Sequence, residues 1–524
     1  MTSSEPLPDD LPVHNEENVV RRMANEAPWV VIAVMIHVLI IAICSVIYFA
    51  HNLGKDSSEK TSIEIAAPRQ EIEQILPPEV VDREQMPDLQ NPDMEQNELK
   101  EFSEDTKDPP KGDETAPSDS ELLNLPSGGF TGGTAIGLNG PGHVGIAPST
   151  GSGRLGGGKY GSRFGGDGKG GRGGKSTAEA VKLGLEWLKK HQDSDGHWDT
   201  ASFMKHDVEG VPCDGAGNPV NDVGITGLAT LAFLGEGNTL RIGSYKKVVQ
   251  AAVKWMMENQ GENGLLGANN SEGYIYSHAI GTLALCEAYG LSDYRPLKKP
   301  VQEAINYIAT ARNNYGVWRY QPKGGDSDTS VTGWMVQALL SAKEFGLQVD
   351  EQAFKAAQVW FDNVTDVGSG ASGYTQRNEG SSRRPGLLDK FPSAKSEAMT
   401  AVVLLCRYLM HQDPKDVPTM KTAADRILKL KPAWNKDDGS IDMYYWYYGS
   451  FAMYQVGGSA WDQWAQAMTP AVVKSQHKKG EGNLTGSWDP IDPWGSDGGR
   501  VYSTAILVLC LEAYYRYSRV LGGR

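Results

Sequence analysis

Two aspartates one residue apart, Asp326 and Asp328, sit in a Gly-Asp-Ser-Asp-Thr-Ser run just ahead of an apolar stretch. A buried carboxylic acid at such a place can protonate a substrate, because burial disfavours its charged form and keeps the proton on. Other polar and aromatic residues recur where further apolar stretches begin: Asp222, Tyr276 with His278, Glu397, Asp442 with Tyr444, Tyr445 and Trp446, and Tyr502. Trp318 precedes the two aspartates. Together they offer acids, a histidine and several aromatic faces, a set that can shelter a cation or bind a lipid, an isoprenoid or a peptide. Taken singly, each has a competing use as a helix cap or a core residue.

Several other motifs fail on their context. Gly168, Gly170 and Gly173 satisfy Gly-x-Gly-x-x-Gly, but no strand leads into them. Gly173 to Ser176 ends like a phosphate loop, yet Lys169 stands where its first glycine belongs. Asp193-Ser-Asp195-Gly196 and Asp437-Asp438-Gly439 begin like calcium loops, lack the later ligands, and read as turns. The five cysteines include no Cys-x-x-Cys pair and form neither a disulfide framework nor a zinc set. Cys213 alone falls in a loop. The expectation is therefore no metal and no cofactor.

The elements that must position these residues begin at Thr177. One class of segment is amphipathic and ends in a glycine turn; its members start near Ala178, Val248, Val301, Phe354, Thr422 and Ala467. Between them lie segments that are apolar all round, starting at Gly224, Tyr276, Asp328, Ser396, Asp442 and Tyr502. The repeat is roughly 50 to 65 residues. A helix apolar all round must be covered on every side, whereas an amphipathic one can face water. Six apolar helices inside six amphipathic ones predict an all-α fold, an α6/α6 toroid of six helical hairpins over residues 177–524. Small residues such as Gly227, Gly281 and Ala401 would let the inner helices approach closely.

The remaining third has a different composition. Residues 27–50 form an apolar run long enough to span a bilayer, with Trp29 and Tyr48 near its ends. Residues 1–26 carry Arg21 and Arg22, while Lys55 and Lys60 follow the span at a greater distance. The positive-inside rule then predicts a cytoplasmic tail, a single-pass membrane anchor and an extracytoplasmic (periplasmic) C-terminal domain. Residues 51–126 are acidic and poor in aromatics, and 127–176 are rich in glycine; both read as a disordered tether. Most of the net charge of −15 lies in the acidic stretch between His51 and Phe130, which argues against nucleic acid as a partner.

Gly184, Trp187, Leu188, Gln192, Gly196 and Trp198 resemble the QW motif of squalene and hopene cyclases. Ser475-Gln476 with Gly486-Ser487-Trp488 repeats it, and Asn259-Gln260 with Gly264 and Asn313 with Gly316-Val317-Trp318 are partial copies. The resemblance implies a terpenoid-cyclase and prenyltransferase barrel, present here once. It also implies an acid motif, Asp-x-Asp-Asp-Thr-Ala; the segment aligned with it, Gly325 to Ser330, departs from it, with Gly325 at the first Asp and Ser327 at the proton-donating position. A cyclase would then rely on Asp326 or Asp328 in a shifted register. The related protein prenyltransferases imply an Asp, Cys and His zinc set; Cys213-Asp214 lacks its spacing, and no three ligands are expected to meet. Two functions remain open: a toroid that binds a lipid, a peptide or an envelope component, and an isoprenoid cyclase.

Overall fold

Twelve α-helices in six hairpins make up the computed structural model, which describes residues 174–521 apart from residue 272. In chain order the pairs are α1 (Gly174–Lys190) with α2 (Asp222–Gly235), and α3 (Lys246–Glu258) with α4 (Tyr274–Ser292). Next come α5 (Lys298–Ala311) with α6 (Thr329–Glu344), and α7 (Glu351–Val364) with α8 (Ala398–Leu409). The last are α9 (Thr419–Ile427) with α10 (Met443–Val456), and α11 (Gly458–Ser475) with α12 (Gly495–Arg516). No β-strand occurs among the described residues. The expected tail, membrane span and acidic linker lie outside the described residues, as does nearly all of the glycine-rich linker. Among the described residues no helix is long and apolar enough to cross a membrane.

The even-numbered helices form a closed inner ring. Each packs against the next, and α12 returns to α2. Nearly all their residues are buried, as helices without a polar face require. The odd-numbered helices cover them and keep one face in water. Close approach depends on glycine at a few points: a Cβ on Gly227 would lie 2.9 Å from the Gly281 backbone, where α2 crosses α4.

The recurring glutamines and tryptophans act as fasteners. Gln192 Nε2 donates to Gly196 O in its own turn and, at 3.0 Å, to Val248 O at the start of α3. Gln260 bridges Gly264 to Pro300 in the same way. Gln476 bridges Gly486 to Ala180 O on α1 at 2.8 Å, and so joins the last hairpin to the first. Each turn glycine adopts a positive φ and sits against the next outer helix; a Cβ on Gly196 would meet Ala251 O at 2.2 Å. The following tryptophan donates its indole N–H back to the end of its outer helix, Trp198 to Leu188 O, Trp318 to Ile308 O and Trp488 to Val472 O.

Two boundaries differ most from the sequence reading. Helix α11 starts at Gly458, ahead of the expected Ala467, because a Gly457-Gly458 turn links it directly to α10; it also tolerates Pro470 inside. Helix α12 begins before Tyr502 and carries a break at Gly499 (φ 65°). A Cβ there would press on the Gly217 backbone at 2.6 Å, so the break lets the strap after α1 lie against α12.

Candidate functional site

The inner helices enclose a cavity of about 630 Å³ at the end of the ring where they begin. Its floor and walls are apolar: Ile225 and Leu228 from α2, Ile280 from α4, Met399 from α8 and Ile506 from α12. Trp334 of α6 stacks on Tyr447 at 5.4 Å and donates its indole N–H to Tyr276 Oη at 2.8 Å. Tyr444 and Tyr502 complete an aromatic collar. Burial pushes the Tyr276, Tyr444 and Tyr502 hydroxyls well above the ordinary phenol range, so all three are neutral.

The loops above this collar supply charge. Arg319, Arg383 and Arg384 line the mouth with Tyr320, Tyr374, Trp494 and Asp497. Each guanidinium already has a carboxylate. Arg319 pairs with Asp326, Arg384 pairs with Asp497, and Arg383 meets Asp442 at 2.9 Å with both side chains almost fully buried. Arg319 also lies over the Tyr320 and Tyr374 rings at 5.6 and 5.7 Å. The two phenols touch each other at 2.5 Å. The result is an apolar well under a polar rim.

Of the residues expected to form a site, Tyr276, Tyr444 and Tyr502 line this cavity, and the others hold its wall together. Asp326 is exposed and paired with Arg319, a poor setting for a proton donor. Asp328 is the buried N-cap of α6, accepting from Val331 N at 2.7 Å and Ser330 Oγ at 2.9 Å. Its Oδ2 has no hydrogen-bond partner among the described residues, and burial raises its pKa to about 6. Asp222 accepts from the Thr200 N–H and hydroxyl. Glu397 accepts from Thr400 and pairs with Arg426. Asp442 caps α10 through Tyr445 N.

His278 also belongs to the wall. Its Nδ1 accepts from Leu266 N at 3.1 Å while Nε2 donates to Ala304 O at 3.2 Å, and burial lowers its pKa to about 3. It is a neutral ring that pins α4 to the turn after α3. Trp318 fastens the end of α5. Tyr445 donates to Ile427 O and Leu430 O, and Trp446 packs on Trp434.

Sequence reasoning missed three groups. The first is the rim, whose arginines sit in connecting loops; the Arg319-Tyr320 and Arg383-Arg384 pairs were its only signal. The second is Asp492, buried beside Tyr502, whose hydroxyl donates to it at 3.1 Å. Burial, and then the nearby Asp442, raise the Asp492 pKa to about 7. The third corrects the expectation that no three metal donors meet. His191, Asp207 and Cys213 bring a ring nitrogen, a carboxylate oxygen and a sulfur within 4.8 Å of one another, because the loop after α1 folds back over its end.

No protein-family model matches the sequence, and no curated protein matches it. Among solved structures, the chain is similar to an α-1,6-mannanase of Salegentibacter sp. HEL1_6 at 10% identity and a TM-score of 0.45, over 64% of this chain and 98% of that one. It is similar to the cellobiose 2-epimerase of Bacillus thermoamylovorans at 13% identity and 0.44, over 65% and 98%. It is also similar to the type II terpene cyclase MstE from Scytonema at 13% identity and 0.40, over 65% and 97%. Likenesses at this level carry no argument about activity.

Proposed function

We propose that the toroid binds an amphiphilic small molecule, a lipid or isoprenoid, from a chain held at the membrane by residues 27–50. The observation that carries this reading is the polarity gradient of the cavity. Ile280 and Ile506 lie one turn further along their helices than the neutral phenols of Tyr276 and Tyr502, and the guanidiniums come from the loops at the mouth. An apolar chain gains roughly 0.8 kcal/mol per methylene buried in such a well. A polar head at the rim would keep its hydrogen bonds. The volume falls within the range of small-molecule sites.

An isoprenoid cyclase is the second reading, and Asp328 is the observation that favours it. Its raised pKa and unpartnered Oδ2 are what a general acid needs. Against it, the carboxylate caps α6 and is absent from the cavity lining. The test uses the purified full-length chain. Tryptophan emission, reporting on Trp334 and Trp494, is titrated with oleate and with farnesyl diphosphate, and extracts of the protein are examined by mass spectrometry. Saturable quenching by either probe, abolished by Ile280→Trp, is expected. No response to either, in a folded protein, would overturn the binding reading. A cyclised product in cells fed squalene or polyprenyl precursors, lost in Asp328→Asn, would replace it with the enzyme.

A further inference from the structure

The loop between α1 and α2 gathers three side chains that the cavity does not use. His191 ends α1, Asp207 follows the short 3-10 turn Phe203–His206, and Cys213 lies in the strap beyond it. His191 and Cys213 are buried, and the Asp207 side chain is only 11% exposed. We propose that His191 Nε2, Asp207 Oδ1 and Cys213 Sγ bind a zinc ion, which stiffens the connection of the first hairpin where the last hairpin docks on it.

Hydrogen-bond polarity makes the case. His191 Nδ1 lies 2.8 Å from Trp187 O. A carbonyl can only accept, so Nδ1 carries the hydrogen, and in the neutral ring the Nε2 lone pair then faces Asp207 Oδ1 at 3.2 Å. Such a contact needs either a second proton on the ring, which would make it an imidazolium–carboxylate pair, or a metal cation shared by the two atoms. Among the described residues no lysine or arginine pairs with Asp207. The adjacent Asp193, by contrast, is satisfied by Lys205 and His206. Asp207 Oδ2 accepts from Cys213 N at 2.6 Å, which aims Oδ1 at the ring. A histidine whose far nitrogen is held by a backbone carbonyl is the usual setting of a metal ligand.

The spacings agree with zinc. Tetrahedral zinc with ordinary bonds to nitrogen, oxygen and sulfur separates N from O by about 3.3 Å and N from S by about 3.6 Å. The observed separations are 3.2 Å for His191 Nε2 to Asp207 Oδ1 and 3.7 Å for His191 Nε2 to Cys213 Sγ. Binding forms a sulfur–zinc bond and releases to solvent the thiol proton that Cys213 now donates to Asn483 O. Thiolate and carboxylate then neutralise the dication, so the buried site carries no net charge. Trp187 stacks on the His191 ring at 4.0 Å and Phe203 meets its edge at 5.8 Å, shielding the donors.

The same place is where the ring closes. Asn483, in the loop after α11, accepts from Trp187 Nε1 through its main-chain oxygen at 2.8 Å. Its side chain holds Val208 and Val211. A metal on His191, Asp207 and Cys213 would therefore stiffen the first hairpin's side of the closing contact, while Trp187, Val208 and Val211 keep their bonds to Asn483.

The test measures metal in the full-length chain, purified without a polyhistidine tag or chelator, by inductively coupled plasma mass spectrometry. We expect a single zinc per chain, reduced at least about ten-fold by His191→Gln and by Cys213→Ser and kept by His206→Gln. Wild-type protein stripped and reloaded with cobalt(II) should show a sulfur-to-cobalt charge-transfer band, which needs no variant to fold. A folded wild type with no bound zinc and no such band would overturn the site and leave an imidazolium–carboxylate pair in its place.

Discussion

The two ends of the toroid are built from the same six inner helices and behave oppositely. At the end where those helices begin, aromatic side chains and loop arginines leave a well open to solvent. At the end where they finish, charge fills the middle. Arg516 of α12 reaches Glu287 of α4 at 2.8 Å, Glu512 on its own helix at 3.3 Å and Leu231 O of α2 at 2.6 Å, and Tyr517 also donates to Glu287. All of these groups are essentially buried. A ring of helices must fill or seal its centre, and here one end does so with a buried ionic plug. Binding is left to the other.

The strongest way to break this contrast is Arg516→Met. It leaves Glu287 and Glu512 buried together without their cation, which should cost about 3–5 kcal/mol of stability. Chemical denaturation followed by tryptophan fluorescence checks this. A cost below about 1 kcal/mol would mean that the plug is no fixed point of the ring.

A pH series probes the open end. Burial raises Asp328 to about 6 and Asp492 to about 7, from an unfolded value near about 3.9. Folded chains therefore hold protons that unfolded chains release. The stabilisation is fully present below about pH 4, is lost as the pH rises through the window to about 7, and changes no further above it. Each group contributes at most about 1.4 kcal/mol per pH unit within its own window. Denaturation midpoints from pH 4 to 8 should show the fall, with the portion above pH 6 removed by Asp492→Asn.

How much of this was legible in the sequence differs between frame and site. Periodicity placed all twelve helices, because burial on every side and burial on one side leave different patterns in residues such as those of α10 and α3. It misplaced the start of α11, since Gly457 and Gly458 turn the chain without a loop. The cavity was legible only through Tyr276, Tyr444 and Tyr502, which project from helix beginnings. Arg319, Arg383, Arg384 and Trp494 sit in connections, where the path of the chain sets side-chain direction and no period announces it. His191, Asp207 and Cys213 were invisible for the same reason: separations of 16 and 6 residues match no ligand motif, and the folded loop alone brings them together.

Between the two ends, one glutamine bridges the last hairpin to the first. Gln476→Ala removes both the Ala180 and Gly486 bonds from a buried site and should cost about 1–3 kcal/mol. Gln192→Ala removes the same pair of bonds within the ring from a half-buried one and should cost less. Denaturation midpoints measured in parallel give the difference between a buried and a half-buried copy of the same fastener.

The smallest effect on stability, and the most informative for function, belongs to Arg384. Its side chain is 53% exposed and pairs with Asp497 at the mouth of the well. An exposed pair of this kind contributes about 0–1 kcal/mol to folding, so Arg384→Ala should leave the denaturation midpoint nearly unchanged. A ligand whose polar head sits at the rim would nevertheless lose a charged partner, and its affinity should fall about ten-fold or more. Fluorescence titration with farnesyl diphosphate measures that loss directly, and oleate tests whether it tracks head charge. Unchanged affinity for both probes would place the polar head elsewhere and reduce the open end to an apolar well whose rim only holds its own loops.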